Sequence, residues 1–383
     1  MLKNLLRHNT SRKVKLMKFK IERNTLSDAL VNASKASSSR SSIPALEGVL
    51  INLKNGIITV TGYDLEMGIK CRIKPAEAIE EGEVVVNAKI FGEMIRKMPS
   101  GLVEIYTEND VNVTLKSGTV VYNVVGVSGN NYPNIPELRN DITFYVDESM
   151  LKSMIRQTFH AISTNDIKAV HMGSKFHIKD NVMSVVSVDG VRMAKRVEPV
   201  QYNDIDFVVP SKTLGELLRM LSDEPNEKQV AICIDRSQIC FSKEDYMIIS
   251  RILEGNFIDY ERIMNFEATA SAVINAREFA SSLDRTLLLN TDRYKCPVIC
   301  VLENDEVSID IKTALGQMSD TLPAKYSGNK LEIAFNAKYM IDSLRNSECD
   351  EVQIDFTGPL SPIRIKPLGD ESYIGIVLPV RNK

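Results

Sequence analysis

The chain has 383 residues, which is enough for two or three domains, each with its own core. Hydrophobic residues make up 44% of it and charged residues 25%, as in ordinary globular proteins, and no apolar run is long enough to span a bilayer. The 47 basic and 50 acidic residues give a net charge of −3, so the overall charge does not single out a nucleic-acid-binding protein.

The six cysteines form no C-x-x-C pair, and the sequence has no secretory leader. This pattern predicts free thiols in a reducing compartment, and hence a cytoplasmic protein. The cysteines are Cys71, Cys233, Cys240, Cys296, Cys300 and Cys349.

The first sixteen residues, MLKNLLRHNTSRKVKL, carry five basic residues interleaved with single apolar ones. They either form a basic arm that touches nucleic acid or are a disordered extension before a domain that begins at Met17. We favour the disordered extension, because a terminus without a packing face is usually disordered.

Each of three segments begins with an extended stretch and continues into a predicted helix: FKIERNTLSDALVNASKA (19–36), FYVDESMLKSMIRQTFHA (144–161) and AVINAREFASSLDRTLLL (272–289). In the first two, apolar residues recur with the spacing of one buried helix stripe. Alternating runs follow at 56–73 and 181–197, and such alternation predicts strands with one buried face. Asp64 and Asp189 occupy matching hairpin turns, where an acid more often caps the turn than forms a catalytic pair.

A second helix follows a strand in VVNAKIFGEMIRKM (85–98), VVPSKTLGELLRML (208–221) and AFNAKYMIDSLRNS (334–347). Each copy has a lysine and, seven residues later, an arginine. Copies offset by 123 and then 126 residues predict three repeats of one domain. We predict an α+β fold with two helices and about eight strands per domain. The predicted parts are a basic extension (1–16) and domains at 17–141, 142–265 and 266–383, called the first, second and third repeats below.

The predicted helices concentrate positive charge. The six windows 25–36, 88–98, 149–161, 211–221, 276–289 and 337–346 contain twelve Lys/Arg and six Asp/Glu, so the rest of the chain is acidic. A lysine and an arginine seven residues apart point the same way from a helix. The pattern indicates a nucleic-acid-facing surface, although solvated helix residues are the simpler alternative.

Enzyme signatures are missing from the sequence. It contains no G-x-G dinucleotide fingerprint, no G-K-[ST] phosphate loop, no H-E-x-x-H, no zinc-spaced cysteines and no G-x-S-x-G elbow. We therefore predict no catalytic residue, no metal and no cofactor.

The three tandem units, together with MKFKIERNTL, IPALEGVLINL, GYDLEMGIK, SVDGVRMAK and the terminal YIGIVLPVR, make the chain from Met17 onward resemble the bacterial sliding clamp, the β subunit of the replicative DNA polymerase. The resemblance implies a homodimeric ring of two head-to-tail chains that encircles duplex DNA without reading its sequence. Helices line the hole and sheets form the outside. A positive lining then attracts phosphates while topology retains the ring. The implied DNA contacts are Arg40, Lys89, Asn165, Lys168 and Lys212.

The resemblance also implies a dimer joint and a groove for short peptides from the polymerase, the clamp loader and repair proteins. The joint involves Tyr122 and, in TLLLN, Leu288 and Leu289, since three consecutive leucines cannot all face one core. The chain departs from common family residues at His171, Val191 and Ile258, which leaves the peptide preference open. The groove positions are His171, Gly190, Arg192, Met193, Arg262, Ile263, Leu360, Pro362, Ile376, Val377, Leu378, Pro379, Val380 and Arg381.

Two other function classes compete with the clamp. A nucleic-acid-binding scaffold that does not encircle DNA shares the basic helices but needs no dimer. A nuclease needs an acid cluster that binds metal, and the sequence shows none.

Overall fold

The computed structural model describes residues 16–38, 40–109, 111–136, 138, 142–224, 228–290 and 296–381. Six helices begin and end within three residues of the predicted windows, and a seventh short helix was not predicted. The predicted extension lies outside the described residues except for Leu16. The helices are α1 Arg23–Ser34, α2 Ala88–Lys97, α3 Glu148–Phe159, α4 Ser211–Met220, α5 Tyr260–Met264, α6 Ala276–Thr286 and α7 Ala337–Asn346.

The strands follow the alternating runs of the sequence. The first repeat contains β1 Lys18–Glu22, β2 Gly48–Lys54, β3 Ile57–Tyr63, β4 Met67–Ile73, β5 Glu77–Glu80, β6 Gly82–Asn87, β7 Leu102–Glu108, β8 Asn112–Ser117, β9 Val120–Val125 and β10 Val127–Ser128. The second contains β11 Ile142–Asp147, β12 Gly173–Lys179, β13 Val182–Val188, β14 Arg192–Pro199, β15 Ile205–Pro210, β16 Gln229–Asp235, β17 Gln238–Lys243 and β18 Tyr246–Arg251. The third contains β19 Ala270–Asn275, β20 Val298–Glu303, β21 Glu306–Thr313, β22 Gly316–Pro323, β23 Lys325–Ser327, β24 Leu331–Phe335, β25 Glu351–Phe356, β26 Ile363–Pro367 and β27 Tyr373–Val377.

The first of two compact units comprises the chain up to Thr143 together with Val230–Arg251. One of its sheets has the order β5-β1-β7-β8-β9, and another contains the run β10-β6-β2-β3-β4-β18-β17-β16. Helix α1 packs against α2 and against β3 and β4. Phe19, Leu26, Ile51 and Phe91 are among the fully buried side chains, so both predicted helix stripes face the core.

The second unit comprises Phe144–Gln229 and the chain from Ile252 onward. Its sheets have the orders β15-β12-β13-β14-β27-β26-β25-β19-β23 and β22-β21-β20-β24. Helix α3 packs against α4 and β14, and α6 packs against α7. Both units thus contain antiparallel sheets with paired helices on one face, as the predicted α+β class requires.

Consecutive repeats join through one strand pair each. Strand β4 pairs with β18, from Met67↔Ser250 to Cys71↔Tyr246. Strand β14 pairs with β27, from Arg192↔Val377 to Arg196↔Tyr373. In the third repeat the equivalent of β4 and β14 is β22, which is an edge strand of its sheet. In the first repeat the equivalent of β18 and β27 is β9, which is also an edge strand. Because β18 of the second repeat pairs with β4 of the first, the segment Val230–Arg251 belongs to the first compact unit. The compact units therefore do not follow the predicted repeat boundaries, which stay predictions.

Candidate functional site

A tight turn precedes β14 and fixes one side of the predicted groove. The Asp189 Oδ1 atom accepts hydrogen bonds from the backbone N–H groups of Val191 and Arg192, both at 3.0 Å. Gly190 has φ +92°, a conformation that a side chain would strain. Asp64 Oδ1 makes the same contacts to Glu66 and Met67, at 3.0 and 2.7 Å. The capping role predicted for both aspartates is confirmed by these bonds.

The Arg192 side chain links this turn to α7. Its Nε donates to Asp189 Oδ2 at 2.8 Å and its Nη1 donates to Asp342 Oδ2 at 2.6 Å. The guanidinium also lies 4.5 Å from the centre of the Tyr339 ring. Because two carboxylates already neutralise Arg192, its role at the groove is to hold the wall in place rather than to offer a free charge.

The C-terminal tail, Leu378–Arg381, forms the next wall. The Leu378 N–H donates to the Val191 carbonyl at 2.9 Å, and the Val380 N–H donates to the Ala334 carbonyl at 2.7 Å. The tail therefore bridges the turn before β14 and the free edge of β24. These two backbone bonds hold both ends of the tail in place, while Val380 stays 42% exposed.

The floor beside this turn is a small apolar cluster. Met193 and Ile376 are buried against Tyr260 and Met264 of α5, and Ile263 packs on the cluster while half-buried. Burial raises the pKa of Tyr260 to about 12, so its hydroxyl stays neutral. Of the predicted groove positions, Met193, Ile376 and Val377 belong to the core, and Arg262 is exposed at the surface of α5.

The departures from common family residues lie at the edge of this cluster. The His171 ring packs edge-on against Phe257, with centroids 5.3 Å apart. Burial and then the charge of Lys168 lower the pKa of His171, so its ring is uncharged at neutral pH. Ile258 is partly buried on the same cluster, and Val191 is 42% exposed.

The outer part of the groove is a recess of about 410 Å³. Its lining combines the predicted Leu360, Val380 and Arg381 with the unpredicted Glu332, Ala334 and Pro359. Leu360 is 62% exposed and contributes apolar surface to this recess. A recess lined by both apolar and charged residues beside fixed backbone walls suits a short extended peptide.

His160 lies behind this wall at the end of α3. Neither ring nitrogen has a hydrogen-bond partner among the described residues, and both are buried. Burial and the positive charge of Arg192 lower the His160 pKa to about 4. The ring is therefore neutral at physiological pH.

The five predicted DNA contacts share one property, which is that their side chains are exposed to solvent. They lie in two places in each unit: Arg40 follows α1 and Lys89 begins α2, while Lys212 begins α4. Lys168 lies within the short 3₁₀ segment Asp166–Met172. Asn165 lies at the start of this segment, where its Oδ1 accepts the Ile167 N–H at 3.1 Å.

The arginines of the repeated lysine–arginine pattern lie near acids. Arg96 pairs with Glu93 at 2.6 Å, Arg345 with Asp284 at 3.1 Å, and Arg219 with Glu216. These arginine side chains remain 59–66% exposed. Exposed pairs of this kind are weak, so the arginines can exchange a carboxylate for a phosphate.

Of the predicted dimer residues, Tyr122 lies on an edge strand, whereas Leu288 and Leu289 follow α6. Tyr122 lies in β9, which has the exposed valines Val121 and Val125 and borders a recess of about 250 Å³. Leu288 follows α6 and is 80% exposed, whereas Leu289 packs partly on the third repeat's core. The three leucines thus divide between core and surface, as their sequence requires.

Sequence reasoning missed three residues that hold the groove together: Tyr339, Asp342 and Phe257. Tyr339 and Asp342 lie on α7, 147 and 150 residues from Arg192, and Asp342 was counted only among the six acids of the helix windows. No local pattern signals a pair at that separation. The aromatic Phe257, in NFIDY, was the signal that could have been used, because an aromatic residue between a strand and a short helix usually packs on both.

Two further features bear on function. Within the described ranges, no group of three or more His, Cys, Asp or Glu side chains could hold a metal ion. The helices of the described ranges also include none that is long and apolar enough to cross a membrane.

Three family models match the chain in sequence. They describe the N-terminal domain of the DNA polymerase III beta subunit at residues 17–136, its central domain at 145–259 and its C-terminal domain at 261–381. Among curated proteins, the beta sliding clamp of Halalkalibacterium halodurans is 30% identical over 381 residues, covering 96% of this chain and all of the relative. The Bacillus subtilis beta sliding clamp is 29% identical over 380 residues, with the same coverage.

Solved structures agree with these relatives. The DNA polymerase sliding clamp from Bacillus subtilis superimposes with a TM-score of 0.92 at 28% identity, covering 96% of this chain and all of that one. A putative DNA polymerase III beta subunit from Eubacterium rectale gives 0.90 at 29% identity, covering 95% and 99%.

Proposed function

The chain belongs to the DNA polymerase III beta subunit family of sliding clamps, and we propose that two copies close head to tail into a ring around duplex DNA and tether the replicative polymerase to it. One observation carries the ring: β4–β18 and β14–β27 each join two repeats, while β9 and β22 remain as edges. A third join of the same kind has to come from another copy. Pairing β22 of one copy with β9 of the next removes both exposed edges, which are otherwise sites of aggregation.

Side-chain shape supports this joint. Leu288 projects from the end of α6 beside β22, and the first repeat offers a recess lined by Ile90, Phe91, Met94 and Val125 beside β9. An exposed leucine and an apolar recess on the two edges that must meet are complementary. We propose that Leu288 enters this recess, with Tyr122 and Leu289 beside it.

The DNA contacts follow from charge. Arg40, Lys89, Asn165, Lys168 and Lys212 are exposed and lie at helix starts or in adjacent loops, where long side chains reach phosphates. We propose that they attract the duplex without reading bases. Because the attraction is electrostatic and the side chains stay solvated, the ring slides instead of gripping.

The groove binds the partners. Apolar residues of a short peptide pack between Gly190, Val191, Leu378 and the cluster around Ile263, and the proposed partners are the polymerase, the clamp loader and repair proteins. Short peptides with a few apolar anchors obtain most of their binding energy from such recesses. We propose that the protein is not an enzyme and acts in the cytoplasm.

Retention on DNA tests the ring. After loading by a clamp loader, the protein is expected to stay on nicked circular DNA during a wash with about 0.5–1 M salt, which breaks phosphate contacts. It is expected to leave the DNA once the circle is cut. Equal loss from circular and linear DNA would show direct binding and overturn the ring. A non-encircling scaffold gives that second result.

A variant tests the joint. Changing Leu288 and Leu289 to aspartate places unpaired charge in the proposed interface, so sedimentation is expected to report a folded monomer near 42.9 kDa. Leu368→Asp is the matched control, because Leu368 is also an exposed leucine of the third repeat and lies between β26 and β27, outside the proposed joint. A variant that remains a dimer would contradict the placement.

Removal of the tail tests the groove. A chain that ends at Val377 is expected to remain dimeric and to lose binding of a Gln/Leu/Phe-type peptide. Binding as tight as that of the full chain would mean that the groove lies elsewhere.

A further inference from the structure

The two strand pairs that join consecutive repeats have the same register. Strand β4 meets β18 with Cys71 opposite Tyr246, and β14 meets β27 with Arg196 opposite Tyr373. Tyr246 and Tyr373 are each the first residue of their strand. Each joint contains five consecutive residue pairs that begin at this tyrosine. One arrangement of strands therefore serves both joints within the chain.

Strands β22 and β9 contain the equivalent positions. A two-residue turn precedes β3, β13 and β21 alike. The residues opposite the fourth position of these three strands are Cys71, Arg196 and Asp320, respectively, so Asp320 is the equivalent of the other two. Val120 is the first residue of β9 and follows a two-residue turn, as Tyr246 does in β18.

Applied to two copies of the chain, this register aligns the alternation of the two edge strands. With Asp320 opposite the first residue of β9, Met318 stands opposite Tyr122 and Gln317 opposite Asn123. Met318 and Tyr122 are half-buried, whereas Gln317 and Asn123 are exposed. A slip by one residue would place exposed residues against half-buried ones, because successive side chains lie on opposite faces of a strand.

Met318 and Tyr122 occupy the central position of the joint on the helix side of the sheet. Asp320, on the same side of β22 as Met318, accepts a hydrogen bond from Ser282 Oγ of α6 at 2.6 Å. The equivalent of Met318 in β4 is Ile69, and both Ile69 and its partner in β18 are fully buried. Since Met318 and Tyr122 are only half-buried in the single chain, joining two copies buries the rest of them. A methionine thioether also packs favourably on an aromatic ring.

A second contact supports this register over one shifted by two residues. The Cδ2 atom of Leu289 lies 3.8 Å from the point that a Cβ atom of Gly316 would occupy, so this leucine lies against the start of β22. The register sets Gly316 opposite Val124. Val124, on the same side of β9 as Tyr122, lines the recess beside α2 that is proposed to receive Leu288. A shift by two residues would move Gly316 and Leu289 about 7 Å away from Val124.

The outer side of this joint differs from that of the other two joints. The equivalents of Asn123 there are Ile249 and Ile376. Each is buried in a cluster with a tyrosine of the segment that connects two repeats. A joint between separate copies has no connecting segment, and here the two positions are the amides Asn123 and Gln317. Asn123 Oδ1 accepts a hydrogen bond from Thr114 Oγ1 at 2.9 Å, which leaves its NH₂ group for the side-chain carbonyl of Gln317.

We propose that β22 of one copy pairs with β9 of the other in this register, with Met318 packed on Tyr122 on the helix side and Gln317 hydrogen-bonded to Asn123 on the outer side. The proposal rests on the joint proposed above and specifies it residue by residue. Because a ladder shifted by one or two residues breaks both contacts, these two pairs select a second copy of this chain as the partner.

Engineered cysteines test the register. A chain with Asn123→Cys and Gln317→Cys is expected to form a disulfide-linked dimer on oxidation with copper phenanthroline, because opposite residues of a ladder have Cα atoms about 4.5–5.5 Å apart. The matched controls combine Gln317→Cys with Val121→Cys or with Val125→Cys, two residues away on the same face. These pairs are about 7–8 Å apart and are expected to link at least about tenfold more slowly on non-reducing gels. The two single variants, which retain the six native cysteines, give the background.

A double-mutant cycle tests the inner pair without a cross-link. Tyr122→Ala and Met318→Ala are each expected to raise the dimer Kd about tenfold, and the double variant is expected to raise it by about the same factor rather than about a hundredfold. A product of the two single effects would show that the side chains do not touch and would overturn the register.

The remaining outcomes separate the register from the joint. A wild-type protein that sediments as a monomer would overturn the joint itself. A dimer in which a control pair links as fast as the predicted pair, or in which no pair links above the single variants, would overturn only the register.

Discussion

Two sets of arginines in this molecule have the same chemistry and opposite environments. Arg364 is 16% exposed and donates from Nη2 and Nε to Asp355 at 2.7 and 3.0 Å, and its Nη1 donates to the carbonyls of Met264 and Phe266. Arg96 and Arg345 are 66% and 59% exposed and each contacts a single acid on a helix surface.

The difference shows how one chain combines a groove whose walls are fixed with a basic surface whose side chains stay solvated. Buried forks with two or more acceptors fix the backbone around them, as Arg364 does between α5 and β25 and Arg192 does between β14 and α7. Exposed single pairs leave the charge free to respond to a passing phosphate. The two sets of arginines therefore differ in burial rather than in residue type.

The largest effect is expected at Arg364. Arg364→Ala leaves Asp355, 1% exposed, without its cation, and breaking such a pair costs roughly 3–5 kcal/mol of unfolding free energy. Urea unfolding of the dimer at fixed protein concentration measures it. Arg345→Ala, the exposed counterpart, is expected to change the free energy by about 0.5 kcal/mol or less. Similar losses in the two variants would remove the distinction.

The buried ring of His160 makes the stability of the fold depend on pH. Burial and Arg192 lower its folded-state pKa from 6.5 to about 4, so the unfolded chain binds the proton first as the pH falls. Stability from this residue is present above pH 6.5 and is lost toward pH 4, amounting to roughly 3 kcal/mol. His160→Gln is expected to flatten the dependence of the urea midpoint on pH in this window. An unchanged slope would mean that the ring is accessible to protons in the fold.

The shape of the proposed groove is expected to depend on Arg192. Arg192→Lys keeps the charge but cannot donate to Asp189 and Asp342 in the same fork, so the turn before β14 loosens. Peptide affinity is expected to fall about tenfold, or 1.4 kcal/mol, by fluorescence polarisation. Arg219→Lys is the control, because Arg219 is one of the exposed arginines. This variant is expected to bind the peptide like the wild type. Equal affinities for all three proteins would show that the fork does not shape the groove.

The fold followed from the sequence where the pattern was local. Apolar stripes and the repeated lysine–arginine spacing placed six helices, and α7 has the predicted bounds 337–346. Helix α6 ends at Thr286 rather than 289, because Leu287–Asn290 turn back with bonds to Asp284, Arg285, Thr286 and Leu287. Helix α5 was missed because five residues cannot show a helical period.

The site was less accessible to the same reasoning. Family resemblance supplied the groove positions, and the structure arranges many of them around one turn, one tail and one cluster. The contacts that fix them, such as Arg192 with Asp342, join residues 150 positions apart. Such pairs arise only after the sheets join, so a single sequence carries no periodic signal of them. The assignment of individual residues to DNA, peptide and dimer contacts stays a prediction.

The smallest effect is expected on the exposed set, at Lys89. Lys89→Ala removes one solvated charge near the proposed duplex, so binding of the unloaded protein to duplex DNA should weaken slightly and equally for all sequences. The slope of log K against log salt should become about one unit shallower, as for one phosphate contact. Lys54→Ala, an exposed lysine at the end of β2, is the matched control and should leave the slope unchanged. Equal slopes for both variants would mean that Lys89 does not face the DNA, whereas a large loss of affinity from this one lysine would mean that the surface grips the duplex, contrary to sliding.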